Sequence, residues 1–124
     1  MSQSGDPYAV ALALGLACVE PEPAELFIDL DDPRDDAHLD LMIALLNHNG
    51  IVTRRGKTIT SKGGHAHVYV TCDWLATVPI KLRPIIRIAL QACLGSDRSH
   101  ELLSLLTAAY HQSDAPPTVF FEVQ

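Results

Sequence analysis

Hydrophobic and polar positions change period several times along the chain, and each change predicts an element. Glu25-Leu-Phe-Ile-Asp-Leu-Asp31 alternates and is rich in β-formers, which predicts a strand. Leu39, Met42, Ile43 and Leu46 then recur at helical spacing. That helix opens at Asp32-Pro33, a cap followed by proline at the first helical position. Asp35 and Asp36 suit the positive end of its dipole, and it stops near Asn49-Gly50. Two strands follow, Ile51–Arg55 and Thr58–Thr60, with Arg55-Gly56 as a hairpin turn. Ser61-Lys-Gly-Gly64 reads as a loop, and His65–Cys72 alternates as another strand. Pro79–Cys93 reads as a helix interrupted early by Pro84, with Gly95 past its end. Ser96 or Asp97 caps a last helix to Tyr110, and Thr118–Val123 forms a terminal strand after Pro116-Pro117. At the front, Asp6-Pro7 opens a short helix running to Val19, which Glu20-Pro-Glu-Pro23 breaks.

With the Ile51–Thr60 hairpin counted as one unit, the order after the leading helix is β-α-β-β-α-α-β. This is close to a ferredoxin-like, split βαβ plan: an α+β fold with an antiparallel sheet, helices on one face, and extra N-terminal and C-terminal helices. In that plan the first and third strands are neighbours, so Phe27–Asp31 is expected beside His65–Cys72. The 124 residues suit one domain, 1–124, and 48% hydrophobic against 19% charged residues supply a core. The longest apolar run, Ala9–Val19, falls short of the roughly 20 residues that cross a membrane and lacks a basic flank. Cys18, Cys72 and Cys93 show no CxxC pairing, which argues against a disulfide scaffold or zinc ribbon. A soluble cytoplasmic domain without a membrane partner is the expectation.

Charge is segregated along the chain. Residues 1–50 hold ten acids against Arg34, residues 51–98 hold eight bases against Asp73 and Asp97, and the total is −6. Such a balance disfavours coating nucleic acid by electrostatics alone. An acidic half beside a basic half suits a site where a divalent cation meets a phosphorylated substrate; two solvated faces of opposite sign are the plainer reading.

Period-two alternation puts Phe27, Asp29 and Asp31 on one side of their strand and Ile28 and Leu30 on the other. It likewise puts His65, His67 and Tyr69 opposite Ala66, Val68 and Val70. With the apolar sides packed on helices, carboxylates and imidazoles share an open face. An Asp-x-Asp pair at a strand end seats magnesium or manganese, which prefer oxygen ligands and let substrate phosphates complete the shell. Asp32 reads as the helix cap. In the second motif, Gly63 and Gly64 let backbone N–H groups approach an anion, Ser61 adds a hydroxyl, Lys62 a charge, and His67 a ring donor. An ordinary half-buried strand histidine is the alternative for His65 and His67.

Phe27-Ile-Asp29-Leu-Asp31 resembles the hydrophobic-Asp-hydrophobic-Asp motif of archaeo-eukaryotic primases. Ser61-Lys-Gly-Gly-His-Ala-His67-Val-Tyr-Val70 is similar to that superfamily's Ser…His motif. The superfamily includes primase-polymerases of plasmids and phages and the polymerase domains of bacterial end-joining ligases. The resemblance, spanning Phe27 to Asp97, implies an RRM-like core and two Mg2+ or Mn2+ ions held by Asp29, Asp31 and a third acid, for which Asp97 is the candidate. It implies that Ser61, Lys62 and His67 hold the triphosphate while a nucleotide is added to a 3′-hydroxyl with release of pyrophosphate. A phage or plasmid replication system in the host cytoplasm is the implied setting. The chain is shorter than a usual primase core and has no zinc-binding cysteine cluster or accessory helical domain. A DNA template would therefore need a helicase or other replication protein as partner, and Asp97 also reads as an N-cap.

Other readings remain open. The same fold suits a catalytically reduced nucleotide-binding or protein-interaction module. An Asp-x-Asp phosphatase would use Asp29 as nucleophile, but Asp32-Pro33 stands where Gly-Thr is usual. A calcium loop fails on Pro33 and the lack of glycine after it, and neither nucleotide-binding glycine fingerprint occurs. Val10, Leu12, Leu14 and Leu16 suit the core or a homo-oligomer interface. Leu102, Leu103, Leu105 and Leu106 are expected beneath the sheet. Arg54, Arg55 and Lys57 line a nucleic-acid path or a solvated hairpin.

Overall fold

The computed structural model describes residues 13–32, 34–60, 65–110 and 118–123. In chain order these form β1 (Leu16–Val19), β2 (Glu25–Leu30), α1 (Asp35–His48), β3 (Thr53–Thr60), β4 (Ala66–Cys72), a short 3₁₀ helix (Asp73–Thr77), α2 (Arg83–Cys93), α3 (Arg98–Tyr110) and β5 (Phe120–Val123). A three-stranded antiparallel sheet runs β2–β4–β3, the first-third-second order of a split βαβ plan. Leu26, Ile28 and Leu30 of β2 meet Val68, Val70 and Cys72 of β4 on one face. Leu39, Met42, Ile43 and Leu46 of α1, with Ile86 and Leu90 of α2, close over that face and form the main core. Alternation in two strands and a 3.6 period in one helix thus build an α+β layer structure as expected. No helix among the described residues is long and apolar enough to cross a membrane.

The free edge of β2 is closed by α2 and the turn after it. Arg87 Nε donates to the Glu25 carbonyl at 2.9 Å, and Phe27 N–H donates to Gln91 Oε1 at 2.7 Å. Asp29 N–H donates to Ser96 Oγ at 2.9 Å, while Asp97 N–H donates to the Asp29 carbonyl at 2.6 Å. These bonds satisfy edge groups that a fourth strand would otherwise take. Because Phe27 and Asp29 spend their N–H groups there, their pairings with β4 are the close, non-hydrogen-bonded kind, where facing side chains come nearest.

The terminal strand is therefore not the sheet's fourth member. β5 pairs antiparallel with β1, from Leu16↔Val123 to Val19↔Phe120. Leu16–Val19 is a strand where a helix was expected, because pairing with a distant segment outweighs local helical preference. Leu14 is exposed, and the earlier part of that helix, with Asp6, Val10 and Leu12, lies outside the described residues. The expected Arg55-Gly56 hairpin turn is instead a bulge in one strand. Arg55 pairs with Val70 and Thr58 with Val68, so both halves of β3 stay on β4. Gly56 suits that bulge, since a Cβ there would lie 3.0 Å from the Tyr69 carbonyl oxygen.

Three further boundaries move. α2 starts at Arg83 with Pro84 in its first turn, where proline is tolerated, rather than at Pro79. Asp32 does not cap α1: its Oδ1 accepts from Arg34 N–H, its Oδ2 pairs with the Arg34 side chain, and Asp35 begins the helix. Leu102, Leu103, Leu105 and Leu106 are exposed, because α3 turns Glu101 and Ser104 inward instead. The segregated charges meet between α1 and β3, where Arg55 pairs with Asp36 and Asp40; Arg54 pairs with Asp73.

Candidate functional site

The second face of the sheet carries the odd positions. Phe27 stands opposite Tyr69 and Asp29 opposite His67 in the β2–β4 register. Just beyond β2, Asp31 Oδ1 lies 2.9 Å from His65 Nδ1. The carboxylates and imidazoles that alternation put on one side do meet, rung by rung.

That face is not open. The β1–β5 ribbon lies against it, and Phe120 stacks parallel to Phe27 at 4.4 Å and to His67 at 4.0 Å. Phe27, Tyr69 and Phe120 form a second small core with Val19 packed against it. Large aromatic surface at adjacent positions favours such a cover over exposure to water. Glu122 reaches in from β5, with Oε2 3.1 Å from His67 Nδ1 and Oε1 accepting from Tyr69 Oη–H at 2.7 Å. The accessible end is the Asp31–His65 rung, whose side chains are 59% and 45% exposed.

Asp29 is the electrostatic centre of the arrangement. Its Oδ1 is buried and finds no hydrogen-bond partner among the described residues. Burial pushes its carboxyl above the ordinary range, against the pull of the His100 and His67 imidazoles; Asp97 pushes the same way as burial, and His65 opposes. Asp97 is held beside Asp29 by the backbone bond between them, and its own Oδ2 accepts from His100 N–H as the N-cap of α3.

His100 is a neighbour of Asp29 that sequence reasoning missed, since nothing in Arg98-Ser-His-Glu101 marks it. Its Nδ1 lies 2.8 Å from Glu101 Oε2 and its Nε2 3.1 Å from the Val119 carbonyl oxygen. Burial lowers its basicity, but the Glu101 hydrogen bond and charge outweigh that and its pKa is raised. Glu101 Oε1 also accepts from Gln91 Nε2 at 2.7 Å. One polar chain thereby ties β2, α2, α3 and the segment entering β5. Lys57, delivered by the bulge, holds its Nζ 4.4 Å above the Tyr69 ring. Ser61, Lys62, Gly63 and Gly64 lie outside the described residues.

Among the described residues, no group of three or more His, Cys, Asp or Glu side chains is arranged to hold a metal ion. The enclosed Asp29 oxygen lacks a hydrogen donor among the described residues, and the Asp97 carboxylate is near enough to raise the Asp29 pKa. Comparison of the chain with protein-family models, with curated proteins and with solved structures gives no match. The chemistry of this face rests on its own groups. It joins an enclosed carboxylate oxygen, an imidazole across the rung, and an accessible Asp–His rim.

Proposed function

We propose that the Asp29–His67 end of the sheet binds a nucleoside triphosphate with Mg2+ or Mn2+ and transfers its nucleotidyl group to a 3′-hydroxyl. This is the reaction of the primase-polymerases that its two motifs resemble. The supporting observation is the juxtaposition of Asp29 and His67 on facing strands, with an enclosed Asp29 oxygen that lacks a hydrogen donor. Asp29 would hold the cation together with Asp31 and Asp97, which the structure does not gather into one cluster, and the bound ion would neutralise phosphate charge and activate the attacking hydroxyl. His67 donates to a phosphate oxygen, and Ser61, Lys62 and the Gly63-Gly64 backbone, directly before His65, extend that anion grip. Lys57 adds positive charge at the same face. With a net charge of −6, template DNA is assigned to a partner such as a helicase.

A second reading is favoured by the cover over the face. Phe120 stacked on His67 and Glu122 bonded to it suit a catalytically reduced module that binds nucleotide without polymerising. Titration with Mn2+ and dATP is expected to raise the melting temperature, and Asp29→Ala to abolish the shift. Extension of a labelled primer, lost in Asp31→Ala, distinguishes transfer from binding. Tight nucleotide binding without pyrophosphate release supports the second reading, and no thermal shift with any metal–nucleotide pair refutes both.

A further inference from the structure

We infer that Glu122 is a positioning residue for His67, so that β5 is a working part of the site as well as its cover; this rests on the nucleotide reading above. Both Glu122 oxygens are engaged, Oε1 by Tyr69 Oη–H at 2.7 Å and Oε2 by His67 Nδ1 at 3.1 Å. The two side chains are largely enclosed, His67 at 15% and Glu122 at 12% exposure. A carboxylate in such a place needs hydrogen donors on its oxygens. Burial and the neighbouring Glu122 carboxylate keep the Tyr69 phenol protonated, so Oε1 already has its hydrogen. The His67 contact then requires Nδ1 to carry a hydrogen and donate it. Phe120, 4.0 Å away and nearly parallel, fixes the plane of the ring. Nδ1 is committed to Glu122, which leaves Nε2 for the phosphate; Nε2 donates to it once it too takes up a proton, and the Glu122 carboxylate balances the imidazolium that results. An imidazole whose second nitrogen is tied to a carboxylate is held in one tautomer and orientation, the device that makes histidines effective ligands and catalysts.

The test combines the nitrogen NMR spectrum of the His67 ring, in mildly alkaline buffer, with calorimetric titration by Mg2+ and dATP. The wild-type ring is expected to show a protonated Nδ1. Glu122→Met, which has no acceptor, is expected to lose that preference and to weaken nucleotide binding on the order of tenfold. Glu122→Gln, whose carbonyl still accepts, should keep both close to wild type. A wild-type Nδ1 without hydrogen overturns the inference with no variant needed. So does a folded Glu122→Met that keeps the wild-type spectrum or affinity. If the wild type binds no nucleotide, the nucleotide reading fails, while the ring spectra still decide whether Glu122 orients His67.

Discussion

Replacing Asp29 by Asn separates stability from function more sharply than any other change in this fold. The two side chains share a shape, but Asn carries no charge. A buried oxygen without a partner costs about 1–3 kcal/mol, with charged groups at the upper end. Asp29 Oδ1 is such an oxygen. Asn retains the lower part of that cost, so Asp29→Asn is expected to stabilise the ligand-free protein by about 1 kcal/mol, less whatever attraction to His100 is lost. For a chain of this length that is about 4 °C in melting temperature. The sign with pH follows from the upward shift of the Asp29 pKa. Stability contributed by such a group is fully present below its unfolded value of about 3.9 and is lost as pH rises through its folded value. The gain from Asn should thus be seen at neutral pH and vanish in acid. Scanning calorimetry with and without Mg2+ and dATP reads both halves: the variant melts higher alone, and only the wild type rises with ligand. A folded Asp29→Asn protein more than about 1 kcal/mol less stable than wild type at neutral pH would overturn this expectation, because the oxygen would then be stabilising the fold.

Gln91 is fully buried and serves both Phe27 N–H and Glu101, so Gln91→Leu should cost about 2–4 kcal/mol, read as a lower urea midpoint with an unchanged slope. His100 has a raised pKa, so its contribution is fully present below about 6.5 and lost as pH rises through the folded value. Denaturation across that window should show the loss in wild type and its absence in His100→Gln. Gly95 has φ +92°, and a Cβ there would sit 2.9 Å from His38 Cδ2. Gly95→Ala should therefore lower stability by about 1–2 kcal/mol in a thermal melt, and removing the exposed His38 ring as well should restore only the smaller share.

The site was partly legible because strand alternation has a period of two, which sorts Asp29 and His67 to one side each before any partner is known. Their meeting needed only the first-third adjacency of a split βαβ plan, and the register supplies it. His100, Glu101 and Glu122 were not legible, because each acts through a bond to a residue distant in the chain. Asp97 read as a helix cap or as a third metal ligand; the cap is seen, with one oxygen capping α3 while the backbone N–H holds the Asp29 carbonyl.

Local pattern by itself determined the α+β class, the strands around Asp29 and His67, the helix carrying Leu39 and Leu46, and which side of each faces the main core. Those are consequences of hydrophobic periodicity, carried by residues a few positions apart. Tertiary structure alone decided that β5 pairs with β1 and roofs the second face, that Arg55-Gly56 is a bulge, and that α2 closes the β2 edge. Each of those depends on which distant backbone groups and aromatic surfaces remain unpaired once the core has formed, a competition that no short stretch of residues encodes.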